Sequence, residues 1–583
     1  MNFSQKIKSN ALWDISKNGD LIALLIFLIQ ILFMLYRFMP TLQDINLWDE
    51  AIYINAGREL INGTLTPFEW NPFVAIFYAF TYLPFKSSPY WMMQSAAVGR
   101  VLLFGLMWLG SFLIAKRLSR LSYPLVMAGV LFSMTVLTDI LDNPTDALFA
   151  AMSGFAFWKL ITYYETREEK QLGWISCFLG LAALSRNDGL VLFVIFVVLS
   201  LLFLRSSVNK IKHLLYTALP FLIFVFGYFL IYGFVTGNFS LGTRERSYIA
   251  FEQGQAELYQ ENESCQQSFS RCAILEAREL YGTPVDNNYS VFTAIRNNPD
   301  AMLERVVHSL KVLPELIYSA YGKRTAYMVF FLAIAGIFEL ARKRQFLLLG
   351  SLLIWTAYLG VYFLTFFRAG YLQTPYFVVF VLAAIGVTSL VNSIISGRKE
   401  YLIWTVFLFI LSVIGVYRSL NYLYFNTLVL LGIIWAGKLA SRSRVEEIPI
   451  TLYLIFLAGG MIVRGAYNPP QIQIWGEIPE EQAIVFLQET FPEDSLVAAG
   501  APGAVYAARM DYFEIGDLDG VVTSPEDLYA QLSSLGVQAI YVDSFLSSRN
   551  SHIYELIDAG VGDEFEQIFS GRDGSIQVLR VRP

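Results

Sequence analysis

The sequence predicts a polytopic α-helical membrane protein that carries a C-terminal extracytoplasmic α/β domain. Only 15% of its 583 residues are charged and 55% are hydrophobic, whereas soluble globular chains carry about 25% charged residues. The apolar residues form runs of about 17–24 residues, the length that a helix needs to cross a hydrocarbon core about 30 Å thick. Charge is also divided along the chain. From Asn468 onward there are roughly 19 acidic and about 5 basic side chains, so the part before it is net basic.

The apolar runs predict about thirteen transmembrane helices. Their approximate bounds are residues 21–39, 94–115, 123–140, 146–164, 172–185, 189–205, 214–235, 326–341, 346–367, 372–394, 401–418, 424–440 and 448–466. The first run follows a polar lead of about 20 residues and lacks a small-residue cleavage site. We therefore interpret it as a retained span and not as a signal peptide.

Short basic segments predict the orientation in the membrane. They are residues 116–120, 205–213, 342–344, 398–399 and 442–444. Positively charged short loops stay in the cytoplasm. We therefore expect a cytoplasmic N-terminus and a C-terminal domain on the opposite side of the membrane.

Three predicted outer segments are too long to be simple turns. A transmembrane domain at residues 1–467 contains two of them, residues 40–88 and 236–325, and the third is a separate domain at residues 468–583. Within the first, the proline and aromatic spacing of residues 66–85 predicts interfacial helices. The second holds Cys265 and Cys272 with six residues between them, which predicts a local disulfide in an oxidising compartment, with two free thiols as the alternative.

The C-terminal segment reads as a small α/β domain. Helical patterns at residues 479–491 and 524–536 alternate with strand-like stretches at 495–500, 538–544 and 575–581. Such alternation predicts a parallel or mixed sheet. The small-residue stretch at 500–509 lacks both G-x-G-x-x-G and the P-loop lysine, so we do not interpret it as a nucleotide site, and we expect no nucleic-acid partner.

Charged side chains cluster at the predicted outer ends of the spans. They include Asp49, Glu50, Arg58, Asp139, Asp142, Asp146, Arg186, Asp188, Arg368 and Arg464. Charges at the edge of a membrane usually face a cavity and have a partner. The guanidinium groups of Arg186 and Arg368 are suited to phosphate oxygens, and a carboxylate can deprotonate a hydroxyl. This combination favours group transfer from a lipid phosphate carrier.

Four stretches resemble one known group of enzymes. They are LWDEAIYINAGREL at 47–60, TDILDNPTDAL at 138–148, LSRNDG at 184–189 and FFRAGYLQTP at 366–375. Together with the topology, they resemble the GT-C superfamily of polyprenyl-phosphate-sugar-dependent glycosyltransferases, and above all the protein O-mannosyltransferases and the aminoarabinose transferase of lipid A. The resemblance covers residues 20–470. It implies transfer of a sugar from a polyprenyl-phosphate donor to a glycan, lipid or protein acceptor in a bacterial cytoplasmic membrane.

The resemblance also implies roles for individual residues. Asp49 matches the acid that serves as catalytic base, and Glu50 is the neighbour that orients the base or the acceptor. Asp142 best matches the second acid, although Asn143 stands between it and the proline, so that Asp139 and Asp146 are hard to separate from it. The implied donor-phosphate ligands are Arg186, Arg368, Tyr371 and Arg58.

Simpler interpretations stay open for these residues. Asp49, Glu50 and Asp146 fit the first turns of helices, Asp142 fits a helix cap, and Arg186 can pair with Asp188. A transporter or flippase of lipid-linked saccharide is the alternative function, and a non-catalytic assembly protein is a third. We expect no firmly bound cofactor, although the acids could hold Mg²⁺ or Mn²⁺. The three scattered histidines argue against a histidine-bound metal.

Overall fold

The computed structural model describes residues 49–118, 138–141, 143–204, 209–239, 243–255, 269–321, 326–365, 369–395, 402–417, 479–518, 521–571 and 574–582, together with residues 28, 31, 32, 428 and 431. These residues form a polytopic, mainly helical membrane protein with one small sheet near the C-terminal end. This confirms the predicted fold class in its broad outline.

Three helices make up the N-terminal part. Helix α1 spans Asp49–Ile61, with Asp49 and Glu50 in its first turn, where acids are favoured by the helix dipole. Helix α2 spans Pro72–Tyr82 and begins with a proline, which needs no N–H partner at that position. Helix α3 spans Trp91–Leu118. Helices α1 and α2 pack against each other and both contact α3.

Five further helices form the first half of the bundle. They are α4 (Thr138–Leu141), α5 (Pro144–Thr166), α6 (Lys170–Ser185), α7 (Asp188–Leu204) and α8 (Lys210–Thr236). Helix α6 lies between α5, α7 and α8, and α5 also packs on α3. Pro220 interrupts the hydrogen bonding of α8, and the Ser176 hydroxyl of α6 repairs it by accepting from Phe221 N at 3.0 Å and donating to Thr217 O at 2.8 Å.

The second predicted outer segment contains helices that the sequence analysis did not predict. They are α9 (Thr243–Gln253), α10 (Phe269–Tyr281), α11 (Val291–Asn297) and α12 (Pro299–Ala320). Side chains from three of these helices form a local core that includes the aromatic residues Tyr248, Phe251 and Tyr281 together with Met302. These helices were not predicted because charged residues separate their apolar residues in the sequence.

The second half of the bundle follows. It contains α13 (Ala326–Arg342), α14 (Phe346–Trp355, continued by a 3₁₀ segment Thr356–Phe363), α15 (Ala369–Gln373), α16 (Tyr376–Ile395) and α17 (Leu402–Tyr417). Helices α13 and α16 approach closely because Gly336 and Gly386 face the other helix's backbone, where an added Cβ would overlap Leu382 O or Leu332 O.

The C-terminal unit, residues 479–582, has a mixed five-stranded sheet in the order β2-β1-β3-β5-β4. The strands are β1 (Leu496–Ala499), β2 (Asp511–Glu514), β3 (Ala539–Val542), β4 (Phe565–Ser570) and β5 (Gln577–Val581), and the helices are α18 (Pro479–Thr490), α19 (Pro502–Ala507), α20 (Pro525–Ser534), α21 (Ser544–Arg549) and α22 (Ser551–Ala559). Strand β1 is parallel to β2 and β3, whereas β5 is antiparallel to β3 and β4. The predicted elements at 479–491, 495–500, 524–536, 538–544 and 575–581 are thereby confirmed, whereas β2 and β4 were not predicted.

The number of transmembrane crossings is not confirmed. Within the described residues, three helical segments are both long and apolar enough to cross a bilayer, Trp91–Ile114, Lys210–Thr236 and Phe346–Phe363. The predicted spans at 21–39, 123–140, 424–440 and 448–466 lie mostly or wholly outside the described residues, and so does the predicted domain boundary at 467–468. Thirteen crossings and the two-domain division therefore stay predictions.

Candidate active site on helix α1

The two adjacent acids at the start of α1 point to different surroundings. Residues four apart lie on the same face of a helix. Asp49 therefore shares a face with Tyr53, whereas Glu50 shares another face with Ile54 and, one turn further, with Arg58. Glu50 is fully buried and Asp49 is half-exposed. One of the two carboxylates therefore belongs to the protein interior, and the other is partly exposed.

Glu50 is held in a buried ion pair. Its two carboxylate oxygens accept from Arg100 of α3, with Nη2 2.7 Å from Oε2 and Nε 3.2 Å from Oε1. The Tyr78 hydroxyl donates to Oε1 at 3.4 Å. Gly57 allows this arrangement, because an added Cβ would lie 2.7 Å from the backbone of Tyr78 and Ala79. These contacts join α1 to α2 and α3, and the orienting role of Glu50 stays a prediction.

Asp49 faces a group of polar side chains around Tyr53. Within the described residues, no ion pair or hydrogen bond engages the Asp49 carboxylate. The Tyr53 hydroxyl accepts from Asn71 Nδ2 at 3.0 Å and from Arg246 Nη2 at 3.4 Å. Burial raises the pKa of Tyr53, Asp49 raises it as well, and Arg246 and Arg186 lower it. Asp49, Arg246 and Arg186 therefore lie within electrostatic range of one hydroxyl.

Arg246 is the residue of this group that the sequence analysis did not identify. It lies on α9, and its guanidinium stacks on the Trp70 ring with 4.3 Å from Cζ to the ring centroid. Among the described residues it forms no ion pair, so its charge is available to a ligand. The sequence did contain a signal for this residue, because the cationic stretch TRER at 243–246 follows a long apolar span.

Arg186 has a different electrostatic setting. Its guanidinium bonds Asp146 of α5 through Nη1 and Asp188 of α7 through Nε, and it stacks on the Tyr371 ring at 4.2 Å. Tyr362 donates to Asp188 Oδ2 at 2.9 Å, and its ring stacks on that of Tyr371 with 4.7 Å between centroids. Two carboxylates around one arginine leave a net negative charge, so Arg186 attracts an added anion less strongly than Arg246 does.

The predicted site residues are only partly brought together. Asp49, Glu50, Arg186 and Tyr371 lie in the described region, and Asp146, which fits the first turn of α5, is the acid that meets Arg186. Asp139 lies on α4. The side chains of Asp139, Asp142, Arg368, Cys265 and Cys272 lie outside the described residues, so the second acidic site, the Arg368 ligand and the disulfide stay predictions.

Arg58 lies away from the group around Tyr53. It follows Asp49 by nine residues, which places it about 13 Å further along the helix axis and on the opposite side. Its guanidinium contacts Glu59 and Asp494 instead. A role for Arg58 as a donor-phosphate ligand has no support from this position.

The described side chains do not form a metal-binding cluster. Among the residues that the structure describes, no group of three or more Asp, Glu, His and Cys side chains is arranged to hold a metal ion. Asp49 shares the surroundings of the Tyr53 hydroxyl with two arginines, Arg246 and Arg186.

Solved structures with the same fold include two transferases. The apo state of ArnT from Cupriavidus metallidurans superposes with a TM-score of 0.55 at 13% identity, covering 96% of this chain and 97% of ArnT. ArnT bound to undecaprenyl phosphate gives a TM-score of 0.52, also at 13% identity and with the same coverage. AglB, the archaeal oligosaccharyltransferase from Archaeoglobus fulgidus in complex with an inhibitory peptide and a dolichol-phosphate, gives 0.52 at 12% identity, covering 96% of this chain and 74% of AglB.

Similarity at the sequence level does not extend as far. No protein-family model matches the sequence, and no curated protein matches it. The likeness to ArnT and AglB is thus a likeness of fold that extends over nearly the whole chain. The resemblance inferred from the four sequence stretches is confirmed at that level: the chain has the fold of the GT-C glycosyltransferases.

Proposed function

We propose that this protein is a membrane glycosyltransferase that moves a sugar from a polyprenyl-phosphate-linked donor to an acceptor hydroxyl. The observation that carries the proposal is the Asp49 carboxylate, which no described residue engages and which shares the surroundings of Tyr53 with Arg246 and Arg186. The fold supports the same reading, since ArnT binds undecaprenyl phosphate and AglB binds a dolichol-phosphate. The carrier phosphate and the sugar are the substrate, and the acceptor is a glycan, a lipid or a protein.

In the proposed reaction, Asp49 removes the proton from the acceptor hydroxyl. The acceptor oxygen then attacks C1 of the sugar, the bond from C1 to the phosphate oxygen breaks, and polyprenyl phosphate leaves with the electron pair. Attack opposite the leaving group inverts the configuration at C1. A positioned general base contributes about 10²–10⁴-fold to such a rate.

The cations and Tyr53 serve the leaving phosphate. Arg246 has no carboxylate partner among the described residues, so it is the first candidate to bind the phosphate of the donor. Arg186 lies within electrostatic range of Tyr53 as well, but its pairing with Asp146 and Asp188 makes it the weaker candidate. Because its pKa is raised by burial, Tyr53 keeps its proton and can donate a hydrogen bond to the substrate.

We place the reaction on the outer face of a bacterial cytoplasmic membrane, with the N-terminus in the cytoplasm. The basic short segments at 116–120, 205–213 and 342–344 support this orientation. Membrane lipids surround α8, whose apolar side chains, Phe226, Ile231 and Phe234 among them, are more than half exposed in the isolated chain.

The test uses the full-length protein in lipid nanodiscs, radiolabelled polyprenyl-phosphate sugars and a membrane extract as the source of acceptor. The wild type is expected to form a glycosylated product, and Asp49→Asn is expected to lower its rate by about 10²–10⁴-fold because the base is lost. Glu69→Gln is the matched control, since Glu69 is another half-exposed acid of the same segment. Turnover in the presence of a chelator measures the need for Mg²⁺ or Mn²⁺.

Two outcomes would contradict the proposal. Asp49→Asn with wild-type turnover would remove Asp49 as the base. Movement of intact lipid-linked sugar across the bilayer, with no product formed, would favour the transporter instead.

A further inference from the structure

The C-terminal end of α1 is joined to the C-terminal unit. Arg58 is only 5% exposed, and its guanidinium donates to Glu59 Oε1 from Nε at 3.0 Å and to Asp494 Oδ1 from Nη2 at 3.0 Å. Asp494 lies in the turn that leads into β1, 436 residues away in sequence. Helix α19 packs against α1 in the same region. The helix that begins with Asp49 therefore ends on the C-terminal unit.

We propose that the contact between Arg58 and Asp494 makes the C-terminal unit a positioning element for Asp49, with Arg58 as the positioning residue. This inference rests on the proposed function, because it assigns a task within that reaction. It replaces the role of Arg58 as a phosphate ligand with a role that acts through the helix.

The physical argument is that α1 moves as one body. A helix of 13 residues is about 20 Å long and does not bend without a kink, and α1 contains no proline. The Glu50–Arg100 pair holds its first turn, and the Arg58–Asp494 pair holds its last turn. If the last turn is released, α1 can pivot about the first, and Asp49 changes its direction toward the substrate. A misplacement of about 1 Å can cost about 10²-fold in rate.

The C-terminal unit has a second set of contacts that do not involve α1. Trp91 Nε1 donates to Ala507 O at 3.0 Å, and Gln488 Nε2 donates to Ala507 O at 3.1 Å and to Pro89 O at 3.3 Å. Arg509 donates to Lys86 O and pairs with Glu493 at 3.0 Å. These contacts keep the unit attached when the Arg58 contact is lost. Arg509 therefore offers a matched control at the same junction.

The kinetic experiment compares five forms of the full-length protein in nanodiscs: the wild type, Arg58→Gln, Asp494→Asn, the double variant, and Arg509→Gln. We expect Arg58→Gln to lower kcat by about three- to fivefold, the range that one solvated ion pair can supply, while the donor KM stays within about twofold, because the base is displaced and the phosphate site is not. Asp494→Asn should lower kcat in the same direction, and the double variant should be no slower than Arg58→Gln. Arg58→Lys, which keeps the charge, should recover part of kcat. Arg509→Gln should retain wild-type kinetics.

A second measurement is independent of activity. Amide hydrogen exchange of residues 49–61 is expected to become faster in Arg58→Gln and in Asp494→Asn, and not in Arg509→Gln. A higher donor KM with unchanged kcat in Arg58→Gln would overturn the proposal and restore a phosphate contact. Additive losses in the double variant, or unchanged exchange in α1, would also overturn it. If no form of the protein transfers sugar, the proposed function fails, and the exchange measurement alone still decides whether Arg58 and Asp494 act together on α1.

Discussion

The two ends of α1 are both held by an arginine and a carboxylate, but in different environments. At the first turn, Glu50 and Arg100 have side-chain exposures of 0% and 4%. At the last turn, Arg58 is 6% exposed, while its partners Glu59 and Asp494 are 34% and 68% exposed. Asp511 adds a third carboxylate within electrostatic range. The first contact is dry, whereas the second is partly solvated and has three carboxylates within electrostatic range of one guanidinium.

Because of this difference, the two contacts affect the position of α1 in different ways. A buried pair cannot lose one partner without leaving an unpaired charge in the interior, so it fixes the helix in one place. A pair with solvated partners contributes little free energy and can open at low cost. The first turn, which carries Asp49, is therefore the anchored end of α1, and the last turn is the end whose position depends on the C-terminal unit.

The largest effect is expected at the buried pair. Arg100→Met leaves Glu50 charged and buried, and it should lower the free energy of unfolding by about 3–5 kcal/mol. Adding Glu50→Gln removes the unpaired charge, so the double variant should recover most of that loss. Unfolding in mixed detergent and SDS micelles measures both values. A loss for Arg100→Met below about 1 kcal/mol would place the pair among the solvated ones.

A smaller effect is expected at the other end of the helix. Arg58→Met keeps the apolar stem of the side chain and leaves Glu59 and Asp494 free to be hydrated. The free energy of unfolding should therefore fall by about 1 kcal/mol or less in the same assay. A loss of unfolding free energy equal to that of Arg100→Met would show that the two contacts stabilise the protein equally, in contradiction to their different burial.

The smallest effect is expected from Asp511. Partial desolvation raises the pKa of Asp511 although its side chain is exposed, Asp494 and Glu59 raise it further, and Arg58 lowers it. Between its ordinary pKa of 3.8 and the raised value, the folded protein binds more protons than the unfolded one, so stability falls as pH rises through that window. The melting temperature should therefore be slightly higher at mildly acidic pH, and Asp511→Asn should remove this dependence. A wild-type profile that rises with pH in this window, and that Asp511→Asn flattens, would contradict the sign.

Local patterns in the sequence were enough to predict the elements of the C-terminal unit that are apolar and periodic. Strands β1 and β3 are buried on both faces, and their continuous apolar runs identified them. Strand β2 was missed because DYFE carries two exposed acids and lies at the edge of the sheet. Ser524 caps the helix that was predicted at 524–536, and its hydroxyl accepts from Asp527 N at 3.2 Å.

Contacts between distant segments were beyond the reach of local patterns. Nothing near Glu50 in the sequence indicates Arg100, which lies on another helix 50 residues later. Arg246 was missed because its surroundings, Trp70 and Tyr53, belong to elements that meet it only in the folded chain. Arg58 was grouped with the phosphate ligands because it is a cation near a predicted membrane surface, and its partner Asp494 comes from the C-terminal unit.

The sequence by itself determined that this protein is a membrane protein with a GT-C-like order of segments and an acidic pair after the first apolar run, because hydropathy and charge are local properties of the chain. Only the tertiary structure decided which acid of that pair is buried in an ion pair. Asp49 and Glu50 are neighbours of the same chemical type, and a rotation of about 100° around the helix axis separates a buried partner of Arg100 from a carboxylate that is partly exposed. Such a difference depends on what packs against each face of α1, and that is set by segments far away in the sequence.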